Sequence, residues 1–287
     1  MRNPWQHQSV LLKEVLDFLN VKKGHLYVDA TLGAAGHAKE IIKQGGQVIG
    51  FEVDPKTVEK LEEEALAGLT IINKNFSRIG EILREKGITS VSGVLFDLGI
   101  SSDQLSDPSL GLSFNLDAPL DMRLDPNLGV SAADLINALA ERELYELFDK
   151  YGEEHSARRL ARAIVDARRE EKIQTSYQLV KIINRVVGAR KGRLHPATKV
   201  FMALRIAVNS ELENLEEGLR ESLEVLEKGG KLLVISFHSL EDRIVKRFFQ
   251  DQENLKIITK NPVLPSEEEV ERNPRARSAK LRVAEKI

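Results

Sequence analysis

The residues of this 287-residue chain that could do chemistry on a bound molecule gather where apolar runs end. Asp29 closes the run Leu26-Tyr-Val-Asp29, and a turn carrying Gly33 and Gly36 follows directly. Asp54 closes a second run, and Asp97 a third, Val91-Ser-Gly-Val-Leu-Phe-Asp97. A glycine turn lets backbone come close to a ligand. The helix that starts after it offers N–H groups with no intrahelical partner, so strand, turn and helix make a cradle for a small molecule. Open α/β sheets bind ligands at the carboxyl ends of their strands, where these acids lie. Each acid alone is as well explained as a strand-end cap. Three on successive strands favour a site.

Three ligands compete for the turn. A nucleoside triphosphate loop needs Gly-x-x-x-x-Gly-Lys-Ser/Thr, and no such lysine follows between Gly33 and His37. A dinucleotide needs Gly-x-Gly-x-x-Gly, of which only Gly33-Ala-Ala-Gly36 is present. S-adenosylmethionine has no pyrophosphate, so the full glycine set is not required. It calls for an acid near the turn for its ammonium group. It also calls for one after the second strand for the ribose, and one on the fourth strand beside adenine or substrate. Asp29, Asp54 and Asp97 hold those places.

The elements that must position them alternate. Strands are expected near 26–29, 47–54, 69–75 and 91–98, with helices between them, the first over 38–43. Such alternation implies a Rossmann-like α/β fold with a parallel sheet and right-handed crossovers. It breaks near residue 103. Residues 103–129 read as loop. Ser131, with Asp134 three residues on, then opens a run of helices. Further helices are expected near 154–170 and 176–187, and from Pro196 through Leu212. The stripe Leu215, Leu219, Leu223 and Leu226 makes another, stopped by Gly229-Gly230. The sheet resumes at 231–238, followed by a helix over 240–250. Two more strands, 255–260 and 279–284, are expected to pair antiparallel for want of a helix between them. The organisation expected is a discontinuous methyltransferase domain, 1–110 and 206–287, with a helical insertion domain, 111–205, for substrate recognition. Both breaks are expected near the same edge of the sheet.

Composition narrows the class. Apolar content of 42% and charged content of 30% suit a globular protein with a sizeable core. The absence of cysteine excludes disulfides, thiolate metal sites and a cysteine nucleophile, and fits a reducing compartment. The polar N-terminus does not read as a signal peptide, and no run approaches a membrane span, so a cytoplasmic location is expected and no membrane partner. Six histidines and the acids show no metal-ligand spacing, so no metal site is assigned and a metal requirement stays open.

At Phe96-Asp-Leu-Gly-Ile-Ser-Ser102 the chain resembles the bacterial small-subunit (16S) ribosomal RNA cytosine-N(4)-methyltransferases, the RsmH or MraW family. Matching blocks run through nearly the whole sequence. Among them are His7-Gln-Ser-Val-Leu11, Asp29-Ala-Thr-Leu-Gly-Ala-Ala-Gly-His37, Gly111-Leu-Ser-Phe114 and Pro119-Leu-Asp-Met-Arg123. Others are the block from His195 to Leu212, Ile235-Ser-Phe-His-Ser-Leu-Glu-Asp-Arg243 and Asn273-Pro-Arg-Ala-Arg-Ser278. One departure stands out. The family's turn reads Gly-Gly-His, and Ala35 replaces the first glycine here, at no cost if its φ is negative. The resemblance implies that Ala35, Gly36 and His37, beside Gly33, meet the methionine end of S-adenosylmethionine. It implies Asp54 on the ribose, Phe76 on adenine, and Asp97 and Gln104 completing the site. Without it, Phe76 reads as core and Gln104 as a solvated loop residue.

Cytosine's exocyclic nitrogen is a poor nucleophile, so transfer needs positioning and an acceptor for the amine hydrogens. Asp97, or Ser101 or Ser102, is expected to supply it, with His238 and Ser239 holding the base. The target base must leave its stack. Net charge is −2, so RNA contact has to be local. Between Lys172 and Ser210 there is no acid, while Lys172, Lys181, Arg185, Arg190, Lys191, Arg193, Lys199 and Arg205 supply positive charge. The tail adds Arg272, Arg275, Arg277, Lys280 and Arg282. The loop around Arg190-Lys-Gly-Arg193 is the favoured contact. Ribosomal RNA or the small ribosomal subunit is therefore the expected partner, and a homodimer stays open. An oxidoreductase on the same fold and a non-catalytic RNA-binding factor are the alternatives.

Overall fold

The computed structural model describes residues 9–188 and 195–287. In chain order the helices and strands are α1 (Leu12–Leu19), β1 (Leu26–Asp29), α2 (Gly36–Lys43), β2 (Gln47–Phe51), α3 (Pro55–Glu64), β3 (Leu69–Ile72), α4 (Ile79–Glu85) and β4 (Val91–Asp97). Then come α5 (Ser102–Ser106), α6 (Ala132–Ala138), α7 (Glu141–Lys150), α8 (Ala157–Glu170), α9 (Ser176–Val187), α10 (Ala197–Asn209) and α11 (Glu211–Val225). The chain ends with β5 (Leu226–Ser236), α12 (Ser239–Asp251), β6 (Leu255–Ile257), α13 (Glu267–Arg272) and β7 (Lys280–Lys286). It forms two compact units. One runs up to Gly99 and resumes over Leu212–Ile287; the other is Ile100–Glu211.

The first unit is a seven-stranded sheet of order β3-β2-β1-β4-β5-β7-β6. Neighbours from β3 to β5 pair in parallel, and β7 runs antiparallel to both β5 and β6, as expected for the last two strands. Strand side chains alternate between two cores because the side-chain period of a strand is two. Val28, Val94, Phe96, Leu232 and Val234 enter one core; Tyr27, Leu95, Leu233 and Ile235 enter the other. Both faces are covered, which is why these strands read as unbroken apolar runs rather than alternating ones.

Three expectations are corrected here. The insertion does not leave near a sheet edge: β4 and β5 are neighbours in the middle of the sheet. Gly229-Gly230 does not stop the preceding helix, which ends at Val225. The register steps from Val91↔Leu226 to Gly93↔Lys231, and Gly229 at φ 83° lies in the resulting bulge, where a left-handed residue is needed. Strands β2 and β3 stop at Phe51 and Ile72, short of the expected ends, because Asp54 and Asn75 cap the elements that follow.

The second unit packs α6 to α10 around Leu120, Met122, Ile136, Phe148, Leu160, Ile164 and Leu204. Its boundaries at 99/100 and 211/212 differ from 110/111 and 205/206. Ile100, Leu105 and Leu110 pack into this helical core, and α10 runs to Asn209 before Ser210 ends it at φ 49°. The distinctive blocks brace one another. A Cβ on Gly111 would come within 1.9 Å of the Pro119 carbonyl oxygen. Met122 is buried at φ 65°, and Asn209 holds both sides of it, donating to the Met122 carbonyl at 2.8 Å and accepting from Leu124 N–H at 2.9 Å. Arg123 clamps Asp121 with two 2.8 Å bonds, which hold the Asp121 carboxyl below its usual range. Among the described residues no helix is long and apolar enough to cross a membrane.

Candidate active site

The site begins with the turn between β1 and α2. Gly33 has φ 48°, and Gly36 is glycine for space: a Cβ there would lie 1.9 Å from Ser9 Oγ. Ala35 has φ 59°, so the negative φ that would have made this substitution free is not what the turn adopts. A left-handed L-residue costs roughly 1–2 kcal/mol. Its buried methyl, packed in the second core, offsets about half of that at roughly 0.8 kcal/mol per buried carbon.

Glu52, which the sequence reading passed over, shapes this turn. Its Oε2 accepts Gly33 N–H at 3.0 Å, and its Oε1 accepts Val53 and Asp54 N–H, both at 2.9 Å. Burial outweighs these bonds and raises its pKa. The available signal was an acid directly after β2, masked by Asp54 two residues on. Asp54 itself is the N-cap of α3, accepting Lys56 N–H at 3.1 Å and the Thr57 hydroxyl at 2.6 Å.

Strand pairing brings Asp29 and Asp97 together at the carboxyl ends of β1 and β4. Thr31 links them, donating its N–H to Asp29 Oδ1 at 3.2 Å and accepting Asp97 N–H on its hydroxyl at 2.6 Å. Asp29 is 1% exposed, and burial pushes its pKa up to about 7. Burial, then Asp29, then Glu241 push Asp97 well above the carboxylate range. Among the described residues no hydrogen-bond donor reaches the buried Asp97 Oδ1. His37, 4% exposed, has its Nδ1 3.6 Å from Asp97 Oδ2, an ion-pair distance too long for a hydrogen bond. Its Nε2 donates to the Val10 carbonyl at 3.0 Å, since a carbonyl can only accept. The segment Ser9-Val10-Leu11 is thereby fastened over the turn, and Leu11, at φ 53°, gives its N–H to Glu269 Oε1 at 2.7 Å.

Phe76 is half-buried. It meets Phe96 edge-on at 5.3 Å, and the absence of a side chain at Gly218 makes room for it: a Cβ there would lie 2.7 Å from its ring. Gly218 lies inside α11, where glycine costs helix stability, and is a second residue the sequence reading missed. His238 is the N-cap of α12. Its Nδ1 accepts Glu241 N–H at 3.4 Å, so Nε2 carries the proton. That Nε2 lies at ion-pair distance, 3.1 Å, from Glu241 Oε1 and makes no hydrogen bond among the described residues. Buried Glu241 accepts the N–H groups of Phe237 and His238 at 2.8 and 3.2 Å. Ser101, Ser102 and Gln104 belong to the helical unit. Ser101 and Gln104 form a capping box on α5: Gln104 N–H donates to Ser101 Oγ at 3.1 Å, and Ser101 N–H to Gln104 Oε1 at 3.0 Å.

Two buried carboxyls, no cation paired with either among the described lysines and arginines, and a glycine turn with an acid-held backbone fit a positively charged small molecule. The sheet order, with its reversed seventh strand, and this site at the switch point beside β1 define a class I S-adenosylmethionine-dependent methyltransferase fold. The chain matches the MraW methylase family over residues 4–287 and belongs to that family. It is 45% identical to the Ribosomal RNA small subunit methyltransferase H of Thermomicrobium roseum, over 98% of this chain and 94% of that one. It is 44% identical to the protein of the same name from Carboxydothermus hydrogenoformans, over 99% and 98%. Among solved structures, an rRNA methylase from Streptococcus thermophilus is similar over 98% of this chain and 99% of that one, at a TM-score of 0.46 and 11% identity.

Proposed function

We propose that this protein transfers a methyl group from S-adenosylmethionine to the exocyclic N(4) amine of a cytidine in small-subunit ribosomal RNA, in the cytoplasm. The family and the names of its relatives supply the substrate class. The observation that carries the chemistry is the buried Asp97 Oδ1, without a donor, beside a second buried acid.

S-adenosylmethionine, when bound, supplies an electrophilic methyl on a positively charged sulfonium, together with an ammonium group. Asp29 is the counter-charge for the ammonium, on the turn that Gly33, Ala35, Gly36 and His37 form. Asp54 is assigned to the ribose and Phe76 to adenine, with Gln104 as a further contact. Positive charge in the cradle restores the ionisation that burial takes from Asp97. Asp97 Oδ1 then accepts a hydrogen bond from the amine. Forming the new nitrogen–carbon bond would break the donor's sulfur–methyl bond, the electron pair staying on sulfur as a neutral thioether, and the amine would shed one proton to Asp97. The Ser101 hydroxyl already accepts a bond from α5, which favours Asp97 over Ser101 as acceptor, with Ser102 the alternative. The Nε2–H of His238 is a donor for the base.

Incubation of undermethylated small ribosomal subunits with labelled S-adenosylmethionine tests the reading. The expected product is N(4)-methylated cytidine on nucleoside analysis, and another methylated nucleoside, or none, overturns it. Asp97→Ala should lower transfer at least a hundredfold, and a near wild-type rate would remove Asp97 from the mechanism.

A further inference from the structure

The structure reduces the set of basic residues that can meet RNA. In the acid-free stretch, Arg190, Lys191 and Arg193 lie outside the described residues. Arg205 is held by Glu211 through bonds of 2.7 and 2.9 Å, and Lys199 donates to the Glu153 carbonyl at 2.6 Å. In the tail, Arg272 pairs with Glu268, while Lys280 and the buried Arg282 both pair with Asp242. On α8, Arg162 and Arg169 share Asp166, Arg159 reaches the Val186 carbonyl, and Arg158 lies 5.5 Å from the Tyr145 ring centre. These cations serve the fold.

Helix α9 differs. Its sequence, Ser-Tyr-Gln-Leu-Val-Lys-Ile-Ile-Asn-Arg-Val-Val, holds no acid, and Leu179 and Ile183 fix its buried face. Tyr177, Lys181, Asn184 and Arg185 are all exposed, at positions i, i+4, i+7 and i+8 of one face. Among the described residues neither Lys181 nor Arg185 pairs with a carboxylate. Tyr177 is 61% exposed, an unusual place for an aromatic ring. A solvated helix face would mix charges of both signs, as α8 does, and would not carry an open ring. Successive residues of the stripe climb about 6 Å per four residues, one group per helical turn.

We propose that this face of α9 is a binding surface for a single-stranded stretch of the RNA substrate. Tyr177 stacks an unpaired base, Lys181 and Arg185 contact successive phosphates, and Asn184 hydrogen-bonds the strand between them. Stacking on an aromatic side chain tolerates any base, and phosphate contacts are blind to sequence, so the surface grips without selecting. This inference rests on the RNA-modifying reading above.

The test measures binding of a labelled cytidine-containing oligoribonucleotide, and of small ribosomal subunits, to the full chain, with S-adenosylmethionine affinity as the control for folding. Tyr177→Ala should weaken oligonucleotide binding about tenfold, and Tyr177→Phe should restore it, since the ring and not the hydroxyl stacks. The double variant Lys181→Gln, Arg185→Gln should flatten the slope of log K against log salt by about 1.4, two contacts at roughly 0.7 each. Cofactor affinity should not change in any of them. Wild-type binding of RNA with unchanged Tyr177→Ala and unchanged salt slope would overturn the surface and leave the enzyme reading standing. Loss confined to subunits, with the oligonucleotide unaffected, would overturn it in favour of a protein contact. Wild-type failure to bind either would sink both.

Discussion

At the scale of the residue, Asp29 couples stability to pH with a definite sign. Its folded-state pKa, about 7, lies above the ordinary 3.8 because burial disfavours the charged form. The native protein therefore keeps this proton between about pH 4 and pH 7 while the unfolded chain has lost it. Stability contributed by the neutral acid is present below pH 4 and lost as pH rises to 7, by about 4 kcal/mol at 1.36 kcal/mol per unit. Asp29→Asn should remove that slope in urea denaturation of the cofactor-free protein compared at pH 5 and pH 8. It should also abolish the gain in S-adenosylmethionine affinity expected as pH rises through 7. The turn offers a second test. Ala35→Gly relieves a left-handed backbone worth roughly 1–2 kcal/mol and loses a buried methyl worth about 0.8 kcal/mol, so its melting should move by less than the equivalent of about 1 kcal/mol. The acids at the ends of β1 and β4 were legible because strand, turn and helix are local patterns. Glu52 was not, because its bond to Gly33 spans 19 positions of sequence.

At the scale of the element, Ser9-Val10-Leu11 is held by two long-range contacts, His37 to Val10 and Glu269 to Leu11. Leu11 is fully buried, so Glu269→Ala leaves its N–H without a partner at a cost of about 1–3 kcal/mol. Denaturation should show that loss, and the slack should reach the turn through His37 as weaker cofactor binding. Unchanged cofactor affinity would show that the segment is only structural. In α11, Gly218→Ala gains helix propensity of about 1 kcal/mol but drives a methyl to 2.7 Å from the Phe76 ring. The ring is assigned to adenine, so cofactor affinity should fall even where stability does not. The helix start marked by short-range chemistry at Ser131, with Asp134 three residues on, was readable from sequence. The end of α11 was not, because the bulge between β4 and β5, rather than a helix cap, uses Gly229.

At the scale of the whole molecule, the chain has two bodies with separate cores. A ligand that binds only the folded sheet unit stabilises it by mass action, about 2.7 kcal/mol at a hundredfold excess over Kd. Hydrogen exchange should therefore slow around Thr31–His37 on adding S-adenosylmethionine. A cavity such as Leu160→Ala, expected to cost 2–5 kcal/mol, should speed exchange in α7, α8 and α9. Equal loss of protection in β1 and β4 would show that the two bodies unfold as one. Of the basic residues gathered in the acid-free stretch and the tail, Arg205, Arg272, Lys280 and Arg282 instead brace the fold through Glu211, Glu268 and Asp242.

The sequence by itself determined the alternating elements, the glycine turn, the acids behind it and the family, because each is written in residues close together along the chain. The tertiary structure alone decided which strands are neighbours, and so that Asp29 and Asp97 come together at the carboxyl ends of β1 and β4. It decided that Ala35 is left-handed and that Glu52 holds the turn. It also decided which cations remain unpaired, since ion pairing depends on distance in space and not on distance along the chain.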